Sequence, residues 1–381
     1  MSIFADHPQS RWAVPVVAVL AIGGATALTS RTASADAGLP PISAQQLLVD
    51  VQQAKVDGLS GSVRQTVDVG LPQLPGVSSS AGAGGDPALT SIFSGTHTWR
   101  VWLAGPTQQR LALVGNLGES DVIRNGSDLW LWSSQDQTAV HSTLPAKPAG
   151  APSASLPTDL PKTPAEAAQM ALAAVGPTTD VSTSGTASVA GRTAYELVLK
   201  PRDKTTRVAQ VRIAVDSATK VPLRVQVYSS KLANPAIDVG FTSVSFDTPE
   251  AKQFAFVPPA GATVTQKALP TAEAAAGSTT SLPADAVRPK VVGTGWSAVV
   301  VATLPKSIGT PSATSQGSQG DQGGQAGQLQ SLLAAIPEVS GSWGSGRLVD
   351  GTLFSAVLSN DGRVAIGAVG PDQLYAALAA K

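Results

Sequence analysis

The chain has 381 residues, which predicts two domains at about 150 residues per domain. Its 26 basic and 26 acidic residues cancel, so the sequence lacks the net positive charge that favours nucleic-acid binding, and we predict no nucleic-acid partner. Cysteine is absent, which excludes disulfides, thiol catalysis and cysteine-based metal sites, while charged residues make up only 14% and hydrophobic residues 43%.

The first predicted element is an export signal. After Arg11, the run from Trp12 to Leu28 carries no charge, and Ala33-Ser34-Ala35 follows as a small-residue cleavage site. We therefore predict that residues 1–35 are a signal peptide, that the mature chain begins at Asp36, and that the protein is exported, either secreted or held at the outer face of the cell membrane. An uncleaved N-terminal membrane anchor is the alternative, because the run is near the lower length limit of a spanning helix.

The pattern next predicts a helix from Ser43 to Val56, with Ser43 as its cap and with Leu47 and Val51 on one apolar face. A strand over residues 59–69 follows. Between residues 97 and 144, five strand-length segments are separated by short turn signals such as Asn125-Gly126, which is typical of an antiparallel meander.

A second helix is predicted to begin at Thr163, with Met170 on its apolar face. Beyond it, residues 186–201, 207–230, 236–246 and 253–259 are predicted strands. Helical crossovers between these strands are absent, so the pattern favours an antiparallel sheet curved around a pair of helices over a parallel, doubly wound sheet.

These elements divide the mature chain into a first domain at 36–268, a linker at 269–290 and a small, mostly β C-terminal domain at 291–381. In the C-terminal domain we predict a disordered insertion at about 305–327, because that tract is rich in Gly, Ser and Gln. A short helix near residues 328–336, a hairpin turning at Asn360-Asp361-Gly362 and a terminal helix opened by Pro371 complete the domain.

The sequence carries few signals for catalysis or cofactors. Residues 293–298 spell the G-x-G-x-x-A dinucleotide fingerprint, but a β-branched segment follows where a helix is required, so the glycines indicate a bend. His97 and His141 lack metal-ligand spacing, and no G-x-S-x-G elbow occurs. We predict no cofactor, no metal and no enzymatic activity.

The informative feature of the meander is its aromatic and apolar crowding around Trp99, Trp102 and the segment 129–132. Alternation sends Leu129 and Leu131 to one face of their strand and Trp130 and Trp132 to the other, so both faces are apolar. Either the helices and the C-terminal domain cover this surface as ordinary core, or it forms an apolar concavity for a lipid.

The order of these segments resembles the LolA/RseB family of bacterial lipoprotein-handling proteins. An aromatic strand ends in a turn proline at 100–106, the hairpin NGSDLWLW follows at 125–132, and the closing residues Phe254, Phe256, Pro258, Pro259, Gly261, Ala262 and Val264 match the family's F-x-F-x-P-P-x-G-A-x-V ending. The resemblance spans residues 42–264. It implies an open, strongly curved antiparallel half-barrel with helices inside its concave face, and the Ala/Gly/Val-rich composition favours an actinobacterial LolA-like protein.

What the resemblance implies about function is a carrier or sensor that binds lipid or lipoprotein acyl chains. The alternative is an RseB-like regulator that binds the extracytoplasmic segment of a membrane protein partner. The predicted lipid-binding residues are Trp99, Trp102, Trp130, Trp132, Leu129, Leu131, Leu47, Val51 and Met170. Arg64 is the candidate that contacts the lid helices, by analogy with a family arginine.

Overall fold

The computed structural model describes residues 39–70, 94–115, 118–144, 176–267, 289–303 and 336–380. The predicted signal segment, the helix from Thr163 with Met170, most of the linker and the insertion at 305–327 lie outside these ranges. Two sheets, each with one helix, make up the described part of the chain, and all their strand pairs are antiparallel except that of β12 with β6.

The first sheet has twelve strands in the order β12-β6-β5-β4-β3-β2-β1-β11-β10-β9-β8-β7, and its end strands β12 and β7 are not paired with each other. The predicted open half-barrel is therefore confirmed. Its elements are the helix α1 (Ala44–Gln53) and the strands β1 (Gly58–Val67), β2 (Gly95–Ala104), β3 (Gln108–Val114), β4 (Glu119–Asn125), β5 (Asp128–Ser133), β6 (Thr138–Thr143), β7 (Thr179–Val189), β8 (Arg192–Pro201), β9 (Val208–Asp216), β10 (Pro222–Ser229), β11 (Pro235–Ser245) and β12 (Thr263–Gln266).

Short turns hold the meander together as the sequence predicts. Asn125 pairs with Asp128 across the two-residue turn between β4 and β5, where Gly126 has a φ of 65°. A side chain is strained in this left-handed conformation, so glycine suits the position. The Asn-Gly pair is confirmed as a hairpin signal.

Helix α1 begins where predicted and ends earlier. The Ser43 side chain accepts a hydrogen bond from the Gln46 amide at 3.1 Å, and Leu47 is fully buried. The helix stops at Gln53 rather than at Val56, because β1 already begins at Gly58 and residues 54–57 are needed for the connection. At Gly58 a Cβ would lie 2.3 Å from the Thr248 Cα, which only glycine avoids.

The predicted strand at 253–259 is wrong. A 3-10 helix occupies Ala251–Gln253, and residues 255–259 have no regular structure before β12 joins the sheet edge, parallel to β6. Pro258 and Pro259 lack the N–H that a strand ladder needs. The two phenylalanines of the F-x-F motif pack against the protein without forming a strand: Phe254 is 1% exposed, and Phe256 contacts Trp130 and Trp132.

The second sheet has six strands in the order β13-β14-β18-β17-β16-β15 and carries helix α2 on one face. Val357, Ala365 and Leu374 are the fully buried centre of its core. Residues 293–298 bend between β13 and β14 through a 3-10 turn, with Gly293 at a φ of 86°, so they do not open a dinucleotide-binding helix. The elements are β13 (Lys290–Val292), β14 (Val299–Thr303), β15 (Glu338–Gly341), β16 (Gly344–Asp350), β17 (Ser355–Ser359), β18 (Arg363–Gly367) and α2 (Pro371–Ala379).

Hydrogen bonds and apolar contacts join the two sheets. Arg207, which is 5% exposed, donates to the backbone carbonyls of Gly351 and Phe354, and the Ser229 hydroxyl donates to the Thr352 carbonyl at 2.6 Å. Leu353 is buried against the first sheet. These hydrogen bonds stabilise the contact between the two sheets, because breaking them would leave the buried guanidinium and the carbonyls unsatisfied.

Candidate functional site

Cross-strand pairing divides the side chains of the first sheet into two faces. Leu47 of α1 contacts Tyr195, Leu197 and Val215, so these residues define the helix-bearing face. Directly opposed residues of neighbouring strands share a face. From β8 to β2 the helix-bearing face therefore follows the paired residues Leu197, Ile213, Val225, Val239, Gln65 and His97.

On strands β2 to β6 the same face carries a continuous group of apolar side chains. Val63 and Trp99 are paired, as are Trp99 and Leu113, and these three residues form a buried cluster. The Trp99 indole donates to the Gln65 side-chain oxygen at 3.2 Å. Further along lie Val101, Leu103, Leu111, Val122, Leu129, Leu131 and Val140.

The predicted site residues are divided between the two faces. Trp99, Leu129 and Leu131 lie on the helix-bearing face, where Leu47 and Val51 of α1 pack against β8 and β9. The opposite face carries Trp102, Trp130, Trp132 and Arg64. The structure thus brings Trp130 and Trp132 together, sets them apart from Leu47, and places Arg64 on the side of the sheet away from α1. Met170 lies outside the described residues.

On the helix-bearing face, the apolar side chains of β4 to β6 are more exposed to solvent than those that pack against Leu47 of α1. Leu131 is 43% exposed, and the residues directly opposite it, Val122 and Val140, are half-buried, as is Leu129. Helix α1 contacts the β8 and β9 side of this face. The β4 to β6 side therefore offers apolar surface to solvent, and we call the group Val122, Leu129, Leu131 and Val140 the apolar patch.

On the opposite face the aromatic side chains are occupied by the chain itself. Phe256 lies with its ring centroid 5.3 Å from that of Trp130 and 5.7 Å from that of Trp132. His141 stacks on Trp130 at 4.2 Å and bridges the Asp128 carboxylate and the Gln266 amide oxygen at 2.8 and 2.9 Å. Sequence reasoning missed Phe256 as their partner, although its place in the F-x-F motif was visible.

A pair of opposite charges lies beside Trp102 on the same opposite face. Arg110 forms a two-pronged contact with Asp121, at 2.9 and 3.1 Å, and its guanidinium carbon lies 5.3 Å from the centre of the Trp102 ring. Burial raises the pKa of Asp121 to about 6, against the lowering influence of Arg110. The pair is a structural contact, because both oxygens of the carboxylate accept from Arg110.

The described residues contain neither a membrane-spanning helix nor a metal-binding cluster. None of their helices is long and apolar enough to cross a membrane. None of their His, Cys, Asp and Glu side chains form a group of three or more with the placement to hold a metal ion.

Comparison with known proteins finds solved structures that are similar to this chain at low sequence identity. A chain of the Pseudomonas aeruginosa MucA/MucB complex is 13% identical with a TM-score of 0.41, and the match covers 88% of this chain and 96% of that one. A structure of MucB is 14% identical with a TM-score of 0.37, covering 87% and 94%. A LolA superfamily protein from Nitrosomonas europaea is 12% identical with a TM-score of 0.21, covering 57% and 99%.

One of these structures is a LolA superfamily protein, and the sequence of the present chain resembles the LolA/RseB family. Similarity at these identities and TM-scores carries no argument about fold or function. No protein-family profile matches the chain, and no curated protein matches it.

Proposed function

We propose that the protein is an extracytoplasmic carrier or sensor that holds an acyl chain on the helix-bearing face of its half-barrel. The observation that carries this proposal is the apolar patch, where Leu131 is 43% exposed between half-buried neighbours on the face that also holds the buried cluster of Val63, Trp99 and Leu113. Soluble proteins rarely leave such surface contiguous and open without using it for binding. The predicted signal segment gives the proposed location outside the cytoplasm.

The energetics suit reversible binding. Burial of a sixteen-carbon chain is worth on the order of 12 kcal/mol at about 0.8 kcal/mol per methylene, before association costs of several kcal/mol. The remainder corresponds to moderate affinity, from which a chain can be handed on. Partial coverage of the face by α1 reduces the gain further, because Leu47 and Val51 already occupy the part above β8 and β9.

Within this proposal the binding residues are Leu129 and Leu131, joined by Val122 and Val140, whereas Trp99 is 7% exposed and belongs to the buried cluster of the same face. The proposed contact surface does not include Trp102, Trp130 and Trp132, which lie on the opposite face. There Phe256 contacts Trp130 and Trp132, and Arg110 of the Arg110–Asp121 pair lies over the Trp102 ring. Leu47 and Val51 take the role of a neighbouring wall. The proposal assigns Arg64 no contact with α1.

A separate observation supports a second candidate function, that of a regulator that binds the extracytoplasmic segment of a membrane partner. On the second sheet, Val291, Val300 and Ile366 form one cross-strand row on the face away from the α2 core. Their exposures are 51%, 37% and 42%. An exposed β-branched row of this kind suits a protein contact, and it lies outside the half-barrel.

Native mass spectrometry of the protein purified from its own membrane-containing extract tests the choice. Leu131→Asp and Ile366→Asp form a matched pair, because the parent side chains are 43% and 42% exposed on different sheets. The proposal expects co-purifying lipid that is lost in Leu131→Asp and retained in Ile366→Asp, with the fold of both checked by circular dichroism. Lipid-free protein that carries a partner segment, lost in Ile366→Asp only, would decide for the regulator.

A further inference from the structure

The charges of the half-barrel are distributed unequally between its two faces. Among the described strands β1 to β12, Arg124 is the one Lys, Arg, Asp or Glu on the helix-bearing face. Every other such residue of these strands lies on the opposite face by the same pairing. A half-buried cation beside apolar side chains has lost part of its hydration, so a group of opposite charge that meets it there is favoured.

Arg124 stands at the rim of the apolar patch. It is directly opposite Leu129 on β5 and Gln109 on β3, and it lies two residues along β4 from Val122. Its side chain is half-buried, and its Nε donates to the Gly126 carbonyl in the hairpin turn at 3.2 Å. That bond directs the guanidinium towards the turn end of the strands, where the apolar face meets solvent.

The contrast with other arginines of the sheet is chemical. Arg110, Arg192 and Arg224 each make a two-pronged contact with a carboxylate. Among the described residues Arg124 has no acidic partner, and its hydrogen bond to Gly126 uses only one of its five N–H groups. Its remaining donors match the planar, two-pronged geometry of a carboxylate or a phosphate.

We propose that Arg124 binds the anionic head group of an amphiphile whose acyl chain lies on the apolar patch. This inference rests on the proposed function and names its ligand class: a single-chain or multi-chain lipid with a carboxylate or phosphate at the end of the chain. The apolar patch supplies affinity that does not depend on the head group, and Arg124 supplies the preference for negative charge. A lipid with a neutral head group gains only the first contribution.

The test measures binding of laurate, dodecyl phosphate and dodecanol to the full chain by isothermal titration calorimetry, below their micellar concentrations. We expect Arg124→Gln to weaken laurate and dodecyl phosphate by about tenfold, the loss of one charge-assisted contact, and to leave dodecanol unchanged. Arg124→Lys should restore part of the loss. Arg100→Gln is the matched control, because Arg100 is exposed on the opposite face and likewise has no acidic partner among the described residues.

The outcomes separate the two proposals. If dodecanol and laurate bind the wild type but Arg124→Gln leaves their ratio unchanged, or if Arg100→Gln changes it equally, the role of Arg124 is refuted and the acyl-chain function stands. If none of the three ligands binds, both fall. Acetate and inorganic phosphate serve as chain-free probes, and tight binding of either would assign Arg124 to a free anion and overturn the lipid head group.

Discussion

Truncation of Phe254 tests whether the closing segment, residues 254–259, packs on the sheet although it forms no strand. Its side chain is 1% exposed and is the largest fully buried side chain of the described residues, although it lies in a segment without strand pairing. Truncation of a buried phenylalanine removes its transfer free energy and leaves a cavity, for a cost of about 3–5 kcal/mol. Val257, three residues later, is 81% exposed, so Val257→Ala should change stability by less than about 0.5 kcal/mol.

Urea denaturation followed by tryptophan fluorescence measures both variants. At a slope of about 3 kcal/mol per molar urea, Phe254→Ala should lower the midpoint by about 1 M or more, while Val257→Ala should keep the wild-type midpoint. Trp130 and Trp132 report the loosening directly, because Phe256 of the same segment contacts both indoles. Equal midpoints for the two variants would show that the segment is not packed on the sheet and would refute the reasoning.

Three further predictions concern stability. Burial opposes ionisation of Asp216, but hydrogen bonds from Arg192 and the following loop and the charge of Arg192 lower its pKa to about 2. The ionised carboxylate therefore contributes about 2 kcal/mol to the free energy of unfolding above pH 4, and this contribution is lost as the pH falls through 2. The urea midpoints of Asp216→Asn should vary less over that pH interval than those of wild type, and parallel curves for the two proteins would contradict this prediction. Arg207→Met should lower the free energy of unfolding by about 2–4 kcal/mol and split one calorimetric transition into two, because it removes hydrogen bonds between the sheets. A single unshifted transition would contradict a stabilising role of these bonds. Leu47→Ala should cost about 2–5 kcal/mol in chemical denaturation, against no change for the exposed Gln45→Ala, and equal values would place α1 off the sheet.

Local pattern predicted the strands of the meander and the faces of individual side chains. Alternation alone placed Trp130 and Trp132 on one face and Leu129 and Leu131 on the other, and cross-strand pairing confirms this division. The capped start of α1 and the turn at Asn125-Gly126 were equally visible, because each depends on neighbouring residues only.

The side on which α1 lies could not be predicted, because it depends on contacts between Leu47 and strands about 150 residues away. As a result the predicted site combined residues of two faces. Arg124 was overlooked for the same reason: its isolation appears only when the pairing of all twelve strands assigns the other charges to the opposite face. The closing segment misled through its F-x-F alternation, where the two following prolines were the better signal.

Photo-crosslinking with a diazirine-bearing fatty acid, located to the residue by mass spectrometry, tests the central claim most directly. We expect labels on Val122, Leu129, Leu131 and Val140 of the apolar patch, and loss of labelling when Leu131 is replaced by Asp. Labels on Trp130, Trp132 or Phe256 instead would place the acyl chain on the opposite face of the sheet and contradict the account.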